Sequence, residues 1–172
     1  MINNYLIYYP KSSLRDEWEN VLMGYANRTK IGIVSKMVPI IGNLSVAENI
    51  LVAAYYHHKV SYKEGMKLVI SDLKKFGMEH HVNSRSNQLN DFETFIVKYL
   101  QVKYLCPEWI VFISPRRMYV ADYEDKFHEF LRCEDIAKSV IIEHESNREL
   151  FSDMKEYTEK DFNRWATQDL KI

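Results

Sequence analysis

The chain has 172 residues, enough for one compact domain with a sizeable core and too short for two ordinary ones. With 47% apolar residues and a formal net charge of −1, it has the composition of a soluble globular protein. That balance excludes the clustered basic excess of a nucleic-acid binder and gives no electrostatic reason to sit on an acidic membrane. Nor does any run approach the ~20 apolar residues that span a bilayer. The N-terminus shows no basic segment followed by an apolar one, so no signal peptide is expected. Cys106 and Cys133 are the only cysteines, with no CxxC pair for zinc or redox work. A reduced, cytoplasmic protein is expected.

In chain order, Tyr5–Tyr9 is a short apolar and aromatic run stopped by Pro10, which reads as a buried strand. Ser13-Leu14-Arg15-Asp16 has capping-box spacing, and Leu14, Trp18, Val21, Leu22 and Tyr25 then share one helical face, giving a helix to about Gly24. Ile31–Val34 is a second strand. Ser45-Val46-Ala47-Glu48 and Ser61-Tyr62-Lys63-Glu64 are two further capping boxes, each opening an amphipathic run. The second run carries Met66, Val69, Ile70, Leu73 and Phe76 on one face, and Gly77 stands where a helix end wants a left-handed residue.

A polar stretch from His80 to Asn90 precedes a helix starting near Asp91. Its apolar residues Phe92, Phe95, Ile96, Tyr99, Leu100 and Val102 almost encircle it, so it should be buried. The continuous apolar run Trp109–Ile113 is expected of a central parallel strand covered on both faces. About Asp122 to Cys133 reads as helix, Val140–Ile142 as a last strand, and the charged remainder from Arg148 as two helices. Strands alternating with helices around a helical insertion predict an α/β fold with a parallel β core. The helical subdomain should span about 44–90 within a single domain of residues 1–172.

Six segments carry a family resemblance. Ile31-Gly32-Ile33-Val34-Ser35-Lys36 resembles the strand that enters a Q-loop. Asn43-Leu44-Ser45-Val46-Ala47-Glu48-Asn49-Ile50 resembles a Leu-Thr-Val-x-Glu-Asn helical opening, and Leu73-Lys74-Lys75-Phe76-Gly77-Met78 a Leu-x-x-x-Gly-Leu helix end. Asn87-Gln88-Leu89-Asn90-Asp91-Phe92-Glu93 is followed, eighteen residues after Leu89, by Pro107-Glu108-Trp109-Ile110-Val111-Phe112-Ile113-Ser114-Pro115. Ser139-Val140-Ile141-Ile142-Glu143-His144 is similar to a strand ending in an H-loop histidine. In this order and spacing, over roughly residues 31 to 146, the pieces resemble the ATP-binding subunit of ABC transporters. The resemblance implies a P-loop NTPase-like fold with an inserted helical subdomain.

The departures fall on the chemistry. The family's phosphate loop uses glycines so that backbone amides converge on phosphate, with a Lys to neutralise it. Here Tyr5 and Pro10 stand at the glycine positions, Pro10 has no N–H to donate, and only Lys11-Ser12 echoes the end of the motif. Lys36 stands where the resemblance puts the Q-loop Gln, and Asn90, Asp91 and Phe92 where it puts signature residues that bind a partner's γ-phosphate. Ile113 and Ser114 replace the Walker B Asp and Glu, so no carboxylate holds magnesium or orients water. His144 is the retained residue, expected to be structural because no other phosphate ligand accompanies it. The family's antiparallel sheet, which carries the adenine-stacking aromatic, is replaced by the short stretch Tyr25–Lys30.

Other constellations point to less. His57-His58 and His80-His81 suggest metal, but adjacent helical residues point about 100° apart, and no Cys or carboxylate at ligand spacing completes a set. No metal site is expected. Arg116-Arg117 reads as a solvated pair, and Ser114 lacks the elbow and base of a nucleophile. The resemblance implies that the groove between the Q-loop and the helical subdomain takes a permease coupling helix. Met37, Tyr55 and Tyr56 are therefore the candidate partner-binding residues.

The function expected is a catalytically inactive ABC ATPase-like binding or regulatory component, with no cofactor. Its partner would be an ABC permease or an intact ATP-binding subunit, holding it peripherally at the inner face of a membrane. One alternative is an atypical ATPase using Mg-ATP with Lys11, Lys36 and His144. Another is a self-assembling scaffold unrelated to nucleotides. Without phosphate ligands the ATP sandwich loses its cement, so a monomer or a dimer through another face is expected.

Overall fold

The computed structural model describes residues 4–26, 31–58, 61–118, 123–134, 136 and 138–171. The chain forms two compact units: residues 1–35 with 107–172, and the inserted segment Lys36–Cys106.

The first unit is built on five parallel strands, β1 (Asn4–Tyr9), β2 (Ile31–Val34), β3 (Trp109–Ile113), β4 (Ser139–His144) and β5 (Tyr157–Glu159), in spatial order β2-β3-β4-β1-β5. As its unbroken apolar run requires, β3 is interior and buried at every residue. Alternation along β3 gives two packed faces. Phe112 meets Phe127 and Phe130 of α5 (Tyr123–Cys133) edge-on at 5.8 and 6.0 Å. On the other face Trp109 meets Trp165 at 6.0 Å, within α6 (Phe162–Trp165). Phe162 in turn stacks on Trp18 of α1 (Ser12–Ala26) at 4.4 Å. Full burial of each such aromatic contributes roughly 1.5–3 kcal/mol, so these layers hold the sheet. Four residues, 27–30, separate α1 from β2, too few for an inserted sheet, and every strand pair among the described residues is parallel.

Two expectations fail in this unit. The segment after Arg148 is not two helices: it holds a 3-10 turn (Glu145–Phe151), β5, and then α6 running into a π turn. Strand β5 has no apolar run of its own. It is pinned by the Lys160 N–H donating to Leu6 O at 2.9 Å and by Tyr157 Oη lying 2.6 Å from Ser139 Oγ. On α1 the expected capping box does not form. The helix starts at Ser12, its first turn closes from Leu14 N–H to Lys11 O at 3.0 Å, and Arg15 takes the Asp16 carboxylate. Val21 is exposed, whereas Glu19 and Leu22 are buried.

The second unit is helical: α2 (Val46–His58), α3 (Tyr62–Lys75) and α4 (Asp91–Lys103). It is wider than 44–90 because α4 packs on α2. Ser45–Glu48 and Ser61–Glu64 form both expected capping boxes, and Gly77 adopts φ +68° as Met78 N–H reaches back to Leu73 O at 2.9 Å. Ile70 departs from the expected buried face and is exposed, while Gly65 is buried in the packing of α3. Six consecutive residues, Phe95 to Leu100, are buried on α4. Lys98 is among them, its Nζ donating to the carbonyls of Lys36 at 3.2 Å and Val38 at 2.5 Å.

Candidate functional site

In parallel α/β sheets ligands bind beyond the carboxyl ends of the strands, and there the first unit gathers Tyr9, Ser114, Glu143 and His144. Strand β1 ends at Tyr9 and α1 begins at Ser12, so the connection is Pro10-Lys11 alone. A phosphate cradle needs several successive N–H groups aimed at one point, and this turn has two residues, one of them proline. Lys11 and Ser12 are exposed.

Tyr9 lies inside, 2% exposed, with its Oη 2.7 Å from Ser114 Oγ. Burial raises the Tyr9 pKa and Glu143 adds to the rise; the Ser114 hydrogen bond and Arg15 oppose it. Ser114 follows β3 in a left-handed conformation (φ 45°) and leads into the 3-10 turn Pro115–Arg117. Ile113, before it, is core. Arg15 carries a raised pKa: burial works against its charge, and the hydrogen bond and field of Asp16 outweigh that.

Glu143 was not singled out as a site residue by sequence reasoning. It is 1% exposed, and its carboxylate accepts from His144 N at 2.8 Å, Asn147 Nδ2 at 3.2 Å and Arg116 N at 3.3 Å. Burial raises its pKa, and these three hydrogen bonds and the Arg116 charge hold the rise back. The signal missed was a carboxylate directly after the apolar run Val140–Ile142, inside the strand. His144 itself packs edge-on against Tyr9 at 5.2 Å, and its Nδ1 accepts from Ser146 N at 3.1 Å. The imidazole therefore caps the following 3-10 turn.

In the helical unit, Asn90 is the N-cap of α4. Its Oδ1 accepts from Glu93 N at 2.9 Å, and Glu93 Oε2 accepts from Asn90 N at 2.8 Å. Asp91 opens the first turn, exposed, where a carboxylate favours the helix dipole. Lys36 and Met37 are exposed on a loop held from beneath. Besides the Lys98 bonds, buried Asn49 accepts from Ile41 N at 2.8 Å and donates to Ile41 O and Ser45 O, both at 3.0 Å. Met37 is 69% exposed and Ile41 45%. Tyr55 is 40% exposed and stacks on Tyr62 of α3, ring centres 6.4 Å apart. The side chains of Tyr56, His57 and His58 lie outside the described residues. Near the start of α4, His80, His81 and Glu93 place three metal-ligating atoms within 4.8 Å of one another.

No protein-family model matches the chain, and no curated protein matches it by sequence. Solved structures do match by shape. The dimeric bacterial ABC transporter cassette MJ0796 superposes with a TM-score of 0.69, covering 93% of this chain and 81% of that one at 18% identity. Its post-hydrolysis dimer bound to ADP and Pi gives 0.64, with 84% and 75% covered at 17% identity. The fold is that of an ABC cassette. At such identities the likeness carries the fold alone. Within this cassette fold Lys11, Ser12, Ile113, Ser114 and His144 belong to the α/β unit, and Lys36, Asn90 and Asp91 to the helical one. No helix among the described residues is long and apolar enough to cross a membrane.

Proposed function

We propose that the chain is a catalytically inactive ABC ATPase-like protein that works as a binding or regulatory component. The observation that carries this reading is the two-residue turn Pro10-Lys11 between β1 and α1, backed by the buried Tyr9–Ser114 hydrogen bond. Phosphoryl transfer depends on amides and a cation around the phosphates, a carboxylate for magnesium and a group that orients water. Here the turn is too short to cradle phosphate, Ile113 and Ser114 stand where the resemblance puts the Walker B carboxylates, and His144 caps a turn. No cofactor is required by this reading.

The partner would be an ABC permease or an intact ATP-binding subunit, engaging Met37, Tyr55 and Tyr56 of the helical unit. The Lys98 and Asn49 hydrogen bonds support it, because a loop fixed in advance loses little entropy on docking.

Calorimetry with Mg-ATP tests the first part: no binding is expected up to millimolar nucleotide. Micromolar binding of ATP, or hydrolysis that is lost in His144→Ala, would instead favour the atypical ATPase. Affinity capture from native cells tests the second part. Truncating a central aromatic anchor costs about 2 kcal/mol or more, so Tyr55→Ala should weaken capture strongly and Arg116→Ala only slightly. Equal losses from both, or none from Tyr55→Ala, would remove this face as the interface.

A further inference from the structure

We propose that His80, His81 and Glu93 form a site for a divalent transition-metal ion, with zinc the best fit. One ligand atom from each lies within 4.8 Å of the others. Three ligands at a zinc bond length of about 2.1 Å on tetrahedral corners stand about 3.4 Å apart. His81 Nε2 and Glu93 Oε1 are already 3.3 Å apart. His80 is exposed, its ring centre 4.1 Å from that of His81, and closes the set by a side-chain rotation.

Both inner ligands are oriented by their second contacts, as metal ligands generally are. His81 Nδ1 lies 3.0 Å from Ser84 Oγ. A proton on Nδ1 donated to that hydroxyl leaves the Nε2 lone pair facing Glu93. Glu93 Oε2 accepts the Asn90 N–H at 2.8 Å, which leaves Oε1 for the ion. The backbone is fixed as well: the histidines sit in a 3-10 turn (Glu79–His81), Ser84 N–H closes on His81 O at 2.9 Å, and the capping box of α4 sets Glu93.

A simple His81–Glu93 ion pair uses two of the three groups, whereas an ion would also engage the neighbouring His80 imidazole. Two imidazoles and one carboxylate suit zinc and its neighbours, whereas magnesium and calcium prefer oxygen. Three protein ligands leave a fourth position for water or for a side chain of another molecule.

The test is calorimetric titration of the whole chain with zinc chloride, with magnesium chloride as control. One zinc per chain is expected in the micromolar range, with no magnesium heat. Ser84→Ala, which removes only the hydroxyl that orients His81, should weaken zinc about tenfold, and His80→Ala, His81→Ala and Glu93→Gln, which each remove a ligand, by more. His80 is exposed, and Gln at 93 keeps an oxygen for the Asn90 N–H, so these two variants preserve the fold; circular dichroism checks that. Zinc binding absent below millimolar concentration would overturn the site. So would binding unchanged in both His80→Ala and Glu93→Gln, which would place the ion elsewhere.

Discussion

The two units of the chain treat their polar groups in opposite ways. At the strand ends of the α/β unit Tyr9, Ser114 and Glu143 are buried and bonded to one another or to nearby backbone. The helical unit buries Lys98 and Asn49 to hold a loop and leaves Met37, Ile41, Tyr55 and Tyr62 outside. In the first, hydrogen-bonding capacity is consumed in closing the place where ligands of such sheets bind. In the second it fixes a surface. Within one cassette fold the strand ends can thus be closed by their own side chains while another part keeps an ordered, accessible face.

The largest effect expected from breaking this contrast is in the aromatic layer. Phe112→Ala removes a fully buried ring against Phe127 and Phe130 and should cost about 3–5 kcal/mol in urea unfolding. Ile70→Ala on the exposed side of α3 should stay within about 0.5 kcal/mol. Comparable losses from the two would mean that the exposed face is covered in solution. Next is Lys98→Ala, which frees the carbonyls of Lys36 and Val38. Hydrogen bonds to charged groups contribute about 1.5–3 kcal/mol, so stability should fall by about 2–3 kcal/mol. Faster amide exchange should be confined to the loop around Met37, and uniform acceleration would argue against a local clamp.

Asn90→Ala tests whether this residue serves as a helix cap. It should cost about 1 kcal/mol and Asn90→Ser much less, because serine also caps. A full loss with serine would point to another role. The smallest effect is a pH slope. Glu143 has a folded pKa above its ordinary value, so the stabilisation of its neutral form is complete below the unfolded pKa and is lost as pH rises through the folded one. Glu143→Gln should therefore flatten the fall in stability above the ordinary carboxylate range, measured by urea unfolding from pH 4 to 8. An unchanged slope would mean that the carboxylate stays as easily ionised as in the unfolded chain.

Elements with a strong local pattern were legible in advance. Trp109–Ile113 announced a covered strand, and Ser45, Ser61 and Gly77 announced helix ends whose hydrogen bonds reach only three to five residues. Strand β5 was not legible, since Tyr157-Thr158-Glu159 becomes a strand only by pairing with β1 at Asn4–Leu6. The same holds at the candidate sites. Glu93 stands twelve residues from His81 and enters its neighbourhood only through the turn between them, so ligand-spacing rules passed it over. Glu143 read as a strand residue beside His144 until the fold placed it over the Pro115–Arg117 turn.

The sequence by itself determined the order of strands and helices from β1 to β4, the helix ends at Ser45, Ser61 and Gly77, and which side chains stand at the positions that resemble nucleotide motifs. These follow from periodicity, local hydrogen bonding and side-chain identity, all properties of neighbouring residues. Only the tertiary structure decided that Tyr9 seals onto Ser114, 105 positions away, and that a lysine could be buried against two carbonyls 60 and 62 positions back. It also decided that His81 would meet the Glu93 carboxylate. Such contacts depend on where separate segments meet once the core is packed, and short-range pattern carries no record of that.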